Sequence, residues 1–175
     1  MNSLKPSVGL ALLSTVCAVL VGCASAANAP SASAKLSPTR GHLASGTVRL
    51  TQEAQGVRVS GKITGLKPGG EHGFHVHERG DCSSGDGMSA GGHFNPDGSA
   101  HGAMHHAMHH AGDLQSLKAD ASGTAQFDFV ASKLSLRDGP ANVRGRGLIV
   151  HLDPDDFKTQ PTGNSGPRIA CAVIE

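Results

Sequence analysis

Beyond residue 42 the chain is written in short alternations of apolar and polar residues. Val48 and Leu50 alternate with Arg49 and Thr51, and Val57, Val59 and Ile63 alternate with Arg58, Ser60 and Lys62. Phe74 and Val76 alternate with His75 and His77. Ala125, Phe127 and Phe129, then Leu148 and Val150, then Ile169, Cys171 and Val173 continue the pattern. A period of two places successive side chains on opposite faces of a strand. No window carries a sustained apolar stripe of period 3.6, so no helix is predicted. Lys67-Pro68-Gly69-Gly70, Asn95-Pro96-Asp97-Gly98 and Asp138-Gly139-Pro140 punctuate the runs as turns. The pattern predicts an all-β sandwich or barrel. Residues 78–122 are too polar and glycine-rich for strands and form one long excursion, and a loop of that length inside a compact domain is usually functional.

Upstream of His42 the pattern changes. Residues 24–41 are rich in Ala, Ser and Pro and are expected to form a flexible tether. Before them, Lys5 supplies a positive n-region, and Val8 to Val21 is an apolar stretch too short to span a bilayer comfortably. That is the profile of an export leader. It ends in Leu20-Val21-Gly22-Cys23, which resembles a bacterial lipobox, where the cysteine is lipidated and becomes the first mature residue. The alternative is ordinary cleavage after Ala24-Ser25-Ala26, leaving a protein that starts at Ala27. The expected division is a leader over 1–22, a tether over 23–41 and one domain over 42–175. The expected location is the periplasm, with membrane attachment through Cys23.

The length of 175 residues is about one domain's worth. Five Phe with no Trp or Tyr leave the core to Val, Leu, Ile and Ala, and 24 Gly suit strands and turns. No basic run suggests nucleic acid. Of four cysteines, Cys17 lies in the leader and Cys23 is the proposed anchor. Cys82 and Cys171 remain, and one pair in an oxidising compartment reads as one disulfide, with two buried free thiols as the alternative.

Histidine is the outlier. Nine of the eleven fall between His72 and His110. In a strand, His75 and His77 point to one face and can reach one metal. His93 follows in Gly91-Gly92-His93-Phe94-Asn95-Pro96, then His101, then His110-Ala111-Gly112-Asp113, and a distant His151 ends the run Leu148-Ile149-Val150. Imidazole suits both copper and zinc, and three histidines with one carboxylate suit tetrahedral zinc.

The stretches His72-Gly73-Phe74-His75-Val76-His77-Glu78, Gly91 to Pro96, His110 to Leu114, Val150-His151 and Thr159 to Cys171 together resemble the copper–zinc superoxide dismutases, and among them the bacterial exported branch. The resemblance runs from about residue 42 to the C-terminus and keeps the family's motif order. It implies a Greek-key, immunoglobulin-like β-sandwich or barrel with long metal-binding and active-site loops. It implies an antioxidant oxidoreductase that dismutes superoxide to dioxygen and hydrogen peroxide, with one copper and one zinc per chain.

Carried over by residue, His75, His77, His93 and His151 would ligate copper. His93 would bridge to zinc, whose other ligands would be His101, His110 and Asp113. His109 rivals His110, but the His-x-Gly-Asp spacing favours His110. Asp155 would link a copper ligand to a zinc ligand and so fix imidazole tautomers; its alternative is a turn cap in Asp153-Pro154-Asp155-Asp156. Arg168 matches the active-site arginine, with Thr162 beside an anion channel; its alternative is a surface arginine. His72 is expected to bond backbone. The segment between His151 and Arg168 is short beside eukaryotic relatives, so their steering charges cannot be copied onto it. Ala172 stands where the family often has Gly. Monomer and homodimer both remain open.

His105, His106 and His109 are left over. If the turn around them is helical, His105 and His109 lie four apart on one face. The three would then form an exposed capture site for zinc or copper, aided by Met104 and Met108 through soft sulfur; the alternative is polar filler in a permissive loop.

Overall fold

The alternating runs all become antiparallel strands in the computed structural model, which describes Met1 and residues 29–175. The strands are β1 (Ser31–Pro38), β2 (Ser45–Glu53), β3 (Gly56–Thr64), β4 (Glu71–His72), β5 (Phe74–His77), β6 (Leu117–Lys118), β7 (Ala125–Ala131), β8 (Gly147–His151) and β9 (Arg168–Val173). One seven-stranded sheet runs in the order β5-β8-β9-β1-β2-β3-β7 and curls into a half-barrel, and β4 pairs with β6 as a separate ribbon. Among the described residues the only helical element is a short 3-10 turn at Met88–Ala90.

β1 corrects the sequence reading. Residues 31–38 were expected within the tether, yet they form the strand that joins the two halves of the sheet. Ser31 to Leu36 pair with β2, while Ser37 and Pro38 pair with Cys171 and Ala170 of β9. Ala32, Ala34 and Leu36 are buried and alternate with exposed Ser31, Ser33 and Lys35. The alternation is present in the sequence, but alanine is too weakly apolar to announce it against a Ser-rich background. The folded domain therefore begins at residue 31. The leader (1–22) and Cys23 lie outside the described residues.

The core lies between the two halves of the curl. Val48 and Leu50 of β2, Val57, Val59 and Ile63 of β3, Phe74 and Val76 of β5 and Leu148 and Val150 of β8 are all fully buried. Phe74 meets Phe127 of β7 edge-to-face at 5.4 Å. In β5 and β8 both faces are buried. The inner face packs into the core, and the outer face is covered by the excursion at 78–116. That second covering layer puts His75, His77 and His151 in a dry environment.

The disulfide forms as read: Cys82 in the excursion is bonded to Cys171 of β9, with Cα atoms 5.9 Å apart. Together with the Arg168 guanidinium, which donates to the carbonyls of Gly87 (2.6 Å) and Gly91 (2.7 Å), it ties the first part of the excursion to the sheet.

Candidate metal centre

Two strands and one loop bring the histidines together. His75 and His77 lie on β5, His151 ends β8 where the β8–β9 register shifts, and His93, His101, His110 and Asp113 come from the excursion. Two backbone bridges, His77 to His93 and His75 to Asp113, lace the excursion onto β5. Ligand atoms of His75, His77, His93 and His151 lie within 4.8 Å of one another, and so do those of His93, His101, His110 and Asp113. His93 belongs to both groups. All seven residues are buried.

Hydrogen bonds fix which ring nitrogen each imidazole has to offer. His77 Nδ1 donates to the Gly91 carbonyl (3.0 Å), and His151 Nδ1 donates to the Gly166 carbonyl (3.1 Å). Both Nε2 atoms therefore carry lone pairs, and they face each other at 3.4 Å. Two lone pairs aimed together in a buried site call for a cation between them. His75 Nε2 is engaged by Asp155 Oδ2 at 2.7 Å, which leaves its buried Nδ1 with no hydrogen-bond partner among the described residues. His93 Nε2 is likewise buried and unpartnered.

The second group converges on one oxygen. The Nδ1 atoms of His93, His101 and His110 lie 2.8, 3.0 and 3.3 Å from Asp113 Oδ1. Four donors at about 2.0–2.1 Å from a tetrahedral zinc are separated by about 3.3 Å, so these spacings are close to the edges of a zinc tetrahedron. The other oxygen of Asp113 accepts from the backbone N–H of His110 (2.8 Å) and Gly102 (3.1 Å), which orients the carboxylate. The donor sets fit the two metals: four imidazoles on one side, three imidazoles and a carboxylate on the other.

Asp155 links the groups. Its Oδ2 accepts from His75 and its Oδ1 from His101 Nε2 at 2.9 Å, while the Phe157 N–H caps Oδ1 at 2.7 Å. Gly163 packs directly on this pair; with a φ of 64°, it leaves no room for a Cβ against Asp155 and His101. The motif reading missed the part Gly163 plays, because a glycine's contact with a carboxylate is invisible until the loop is folded.

Electrostatics divide the site. Burial, with the neighbouring His93 and His151, holds His77 well below the usual histidine range. Burial beside His75 does the same for His151. Burial lowers His93 to about 4, against the pull of Asp113. These rings are kept neutral, as metal ligands must be. Burial also opposes charging His101, but Asp113 and Asp155 outweigh it and raise that ring to about 9. Burial works against ionising Asp113 as well, and the histidines around it overcome this and hold it well below the ordinary carboxylate range.

Other candidates fall where the backbone takes them. His72 Nδ1 donates to the His151 carbonyl at 2.9 Å, the expected structural role. Thr162 is half-buried, and its carbonyl accepts from Ser165 Oγ. Residues 104–108 form turns and bends, which overturns the helical expectation for His105 and His109. His109 is buried with Nδ1 donating to the His106 carbonyl, while His105 and His106 are exposed. Among the described residues none of the three joins a group of three or more mutually close His, Cys, Asp or Glu ligands.

Fold and site together define a curled antiparallel half-barrel that carries two adjoining metal-ligand sets sharing one imidazole. The profile of the copper/zinc superoxide dismutase (SODC) family matches residues 44–174. A superoxide dismutase [Cu-Zn] of Paramecium bursaria Chlorella virus 1 is 46% identical over 135 residues, covering 74% of this chain and 71% of that protein. Among solved structures, a SOD-like protein from Bacillus subtilis superposes with a TM-score of 0.73 at 34% identity, over 81% of this chain and 96% of that one. The clock protein EA4 superposes with a TM-score of 0.74 at 42% identity, over 82% and 92%. The chain belongs to the copper/zinc superoxide dismutase family.

Proposed function

We propose that the chain dismutes superoxide at a copper held by His75, His77, His93 and His151, joined through His93 to a zinc held also by His101, His110 and Asp113. The observation that carries this reading is the shared His93, a buried imidazole belonging to both ligand groups. Bound copper supplies a one-electron couple, so that one superoxide is oxidised to dioxygen while another is reduced and takes up two protons to become hydrogen peroxide. The protein's residues supply the rest. His93 Nδ1 is engaged on the Asp113 side, so its unpartnered Nε2 is the ring atom that can hold a proton for the product. Asp155 keeps His75 and His101 in fixed tautomers across the two sets.

The test is reconstitution. Protein stripped by a chelator is expected to take up one copper and one zinc per chain, with activity following copper alone. Full activity in a zinc-only preparation would overturn the reading. Zinc must displace the His101 Nδ1 proton that faces Asp113, on a ring whose charge Asp113 and Asp155 both favour. Zinc affinity is therefore expected to rise with pH up to about 9 and level off above it, as a chelator competition would read.

Arg168 is the cation of the site. Its guanidinium donates to the same Gly91 carbonyl that receives His77 Nδ1, which fixes a permanent positive charge beside a copper ligand. Arg168→Ala is expected to lower the rate with superoxide by roughly tenfold and flatten its dependence on ionic strength. Copper content should be nearly unchanged, and an unaltered rate returns Arg168 to a purely structural role.

We also place the protein in the periplasm, attached to a membrane through a lipid on Cys23. The lipobox-like Leu20-Val21-Gly22-Cys23 supports this, and β1 sharpens it. Only residues 24–30 separate Cys23 from the sheet, a reach of about 25 Å at full extension. The domain would stay close to the lipid surface. Cys23→Ala is expected to release the protein from membrane fractions or block its processing. A lipid-free mature protein starting at Ala27 in the unmutated strain would show ordinary signal cleavage instead.

A further inference from the structure

The turn at 103–106 carries three metal-binding side chains that the main centre does not use. It is closed by the His106 N–H donating to the Ala103 carbonyl at 2.8 Å, and it projects Met104, His105 and His106 from successive positions. The rings of His105 and His106 meet edge-on with centroids 4.6 Å apart. Within the main centre, ring pairs poised around a common ion stand at comparable separations: 4.9 Å for His75 and His151, 5.1 Å for His77 and His93, and 5.5 Å for His101 and His110. Both spare rings are exposed, so their nitrogens are open to an incoming ion. His105 also lines a cavity of about 360 Å³ that Met104 and Glu71 share. Met104 packs against the core on one side and lines that cavity on another, and thioether sulfur with imidazole is a soft donor set that favours Cu(I) over zinc.

We propose that His105 and His106, with the sulfur of Met104, form an additional Cu(I) site on the surface of the excursion. Its location is informative. The turn is strung between His101 and His110, and Gly102, which precedes it, donates its N–H to Asp113 Oδ2 at 3.1 Å. Copper held there lies one turn from the buried centre and outside its ligand shell. His109 takes no part, because it is buried and its Nδ1 is committed to the His106 carbonyl. The second Met-His-His copy, Met108-His109-His110, has instead been drawn inward at His110.

The site goes beyond the dismutase reading, and its test keeps the two apart. Protein first loaded with copper and zinc, with the metal content of the main centre measured, is titrated anaerobically with Cu(I) against a chromophoric Cu(I) chelator, and separately with Zn(II). The unmutated protein is expected to take one further Cu(I) per chain and to hold it more tightly than zinc. His105→Ala with His106→Ala should abolish that uptake while the copper and zinc of the main centre stay in place. Met104→Leu, which conserves volume against the core, should weaken Cu(I) by about tenfold or more and leave zinc binding unchanged. No additional Cu(I) in the unmutated protein, tighter binding of zinc than of Cu(I), or undiminished uptake by the double variant would overturn the proposal. A failure of the dismutase reading would show earlier, as a main centre that does not hold copper and zinc before titration starts.

Discussion

Replacing His151 by alanine is expected to abolish dismutase activity while most of the zinc stays bound. His151 sits where the β8–β9 register shifts, and its Nε2 faces that of His77 at 3.4 Å with both Nδ1 atoms already committed to backbone carbonyls. Neither ring can turn another nitrogen toward the metal without breaking one of those bonds. The alanine variant loses one of four imidazoles from the copper group and none of the donors of the zinc group. The activity loss should be at least about 100-fold, the upper end of what losing even an outer-shell partner costs a metal site. The backbone carbonyl of His151 still accepts from His72, so the β5–β8 framework survives the change. Metal analysis alongside a superoxide assay reads the result. Equal loss of both metals from a folded variant would show that the two ligand sets are not separate.

The strands were legible because the period-two signal is strong wherever large apolar residues alternate with charged ones, as in Val57, Val59 and Ile63 against Arg58, Ser60 and Lys62. β1 was not, because alanine and serine alternate there with little contrast in hydropathy. Its place became visible only through its partners, Gly46 to Thr51 on one side and Ala170 and Cys171 on the other. Strand geometry puts His75 and His77 on one face, but the pair stood out as a candidate only beside the histidine motifs that follow it. The partition of the excursion's histidines was not. His105, His106, His109 and His110 are chemically alike, and what separates them is backbone: Asp113 Oδ2 captures the His110 N–H, while a tight turn ejects His105 and His106. The parts played by Gly91, Gly163 and Gly166, which all fall within the motif stretches, were not legible for a related reason. Gly91 and Gly166 act through carbonyl groups and Gly163 through the lack of a Cβ, and neither property is marked in a sequence.

Loss of the Cys82–Cys171 bond is expected to lower the stability of the domain by several kcal/mol and to loosen copper more than zinc. The bond closes a loop across a sequence separation of 89 residues. In the chain-entropy account, constraining the unfolded chain over such a loop contributes about 4.6 kcal/mol. That is a large share of the 5–15 kcal/mol typical of a folded domain, and it corresponds to a drop in Tm of about 10 °C or more. The local consequence follows from what the bond holds. Cys82 anchors the first part of the excursion, which carries the Gly87 and Gly91 carbonyls that receive Arg168 and, at Gly91, His77. Without the anchor, Gly91 keeps its bond to Arg168, and its neighbours Ala90 and Gly92 keep those to the Arg79 and Glu78 amides. The segment from Cys82 to Gly87 loses its covalent tie to β9, however, and the orientation of His77 rests on a looser loop. His101, His110 and Asp113 lie beyond that segment and are held by their own bonds to Asp155 and to the His110 and Gly102 amides. Cys82→Ser with Cys171→Ser should therefore fold at low temperature, melt well below the parent, and lose copper to a chelator faster than zinc. A variant with the parent's Tm would mean that the unfolded chain is already compact enough to make the cross-link redundant. Parallel loss of both metals would place the weakness at His93, the one ligand that both sets share.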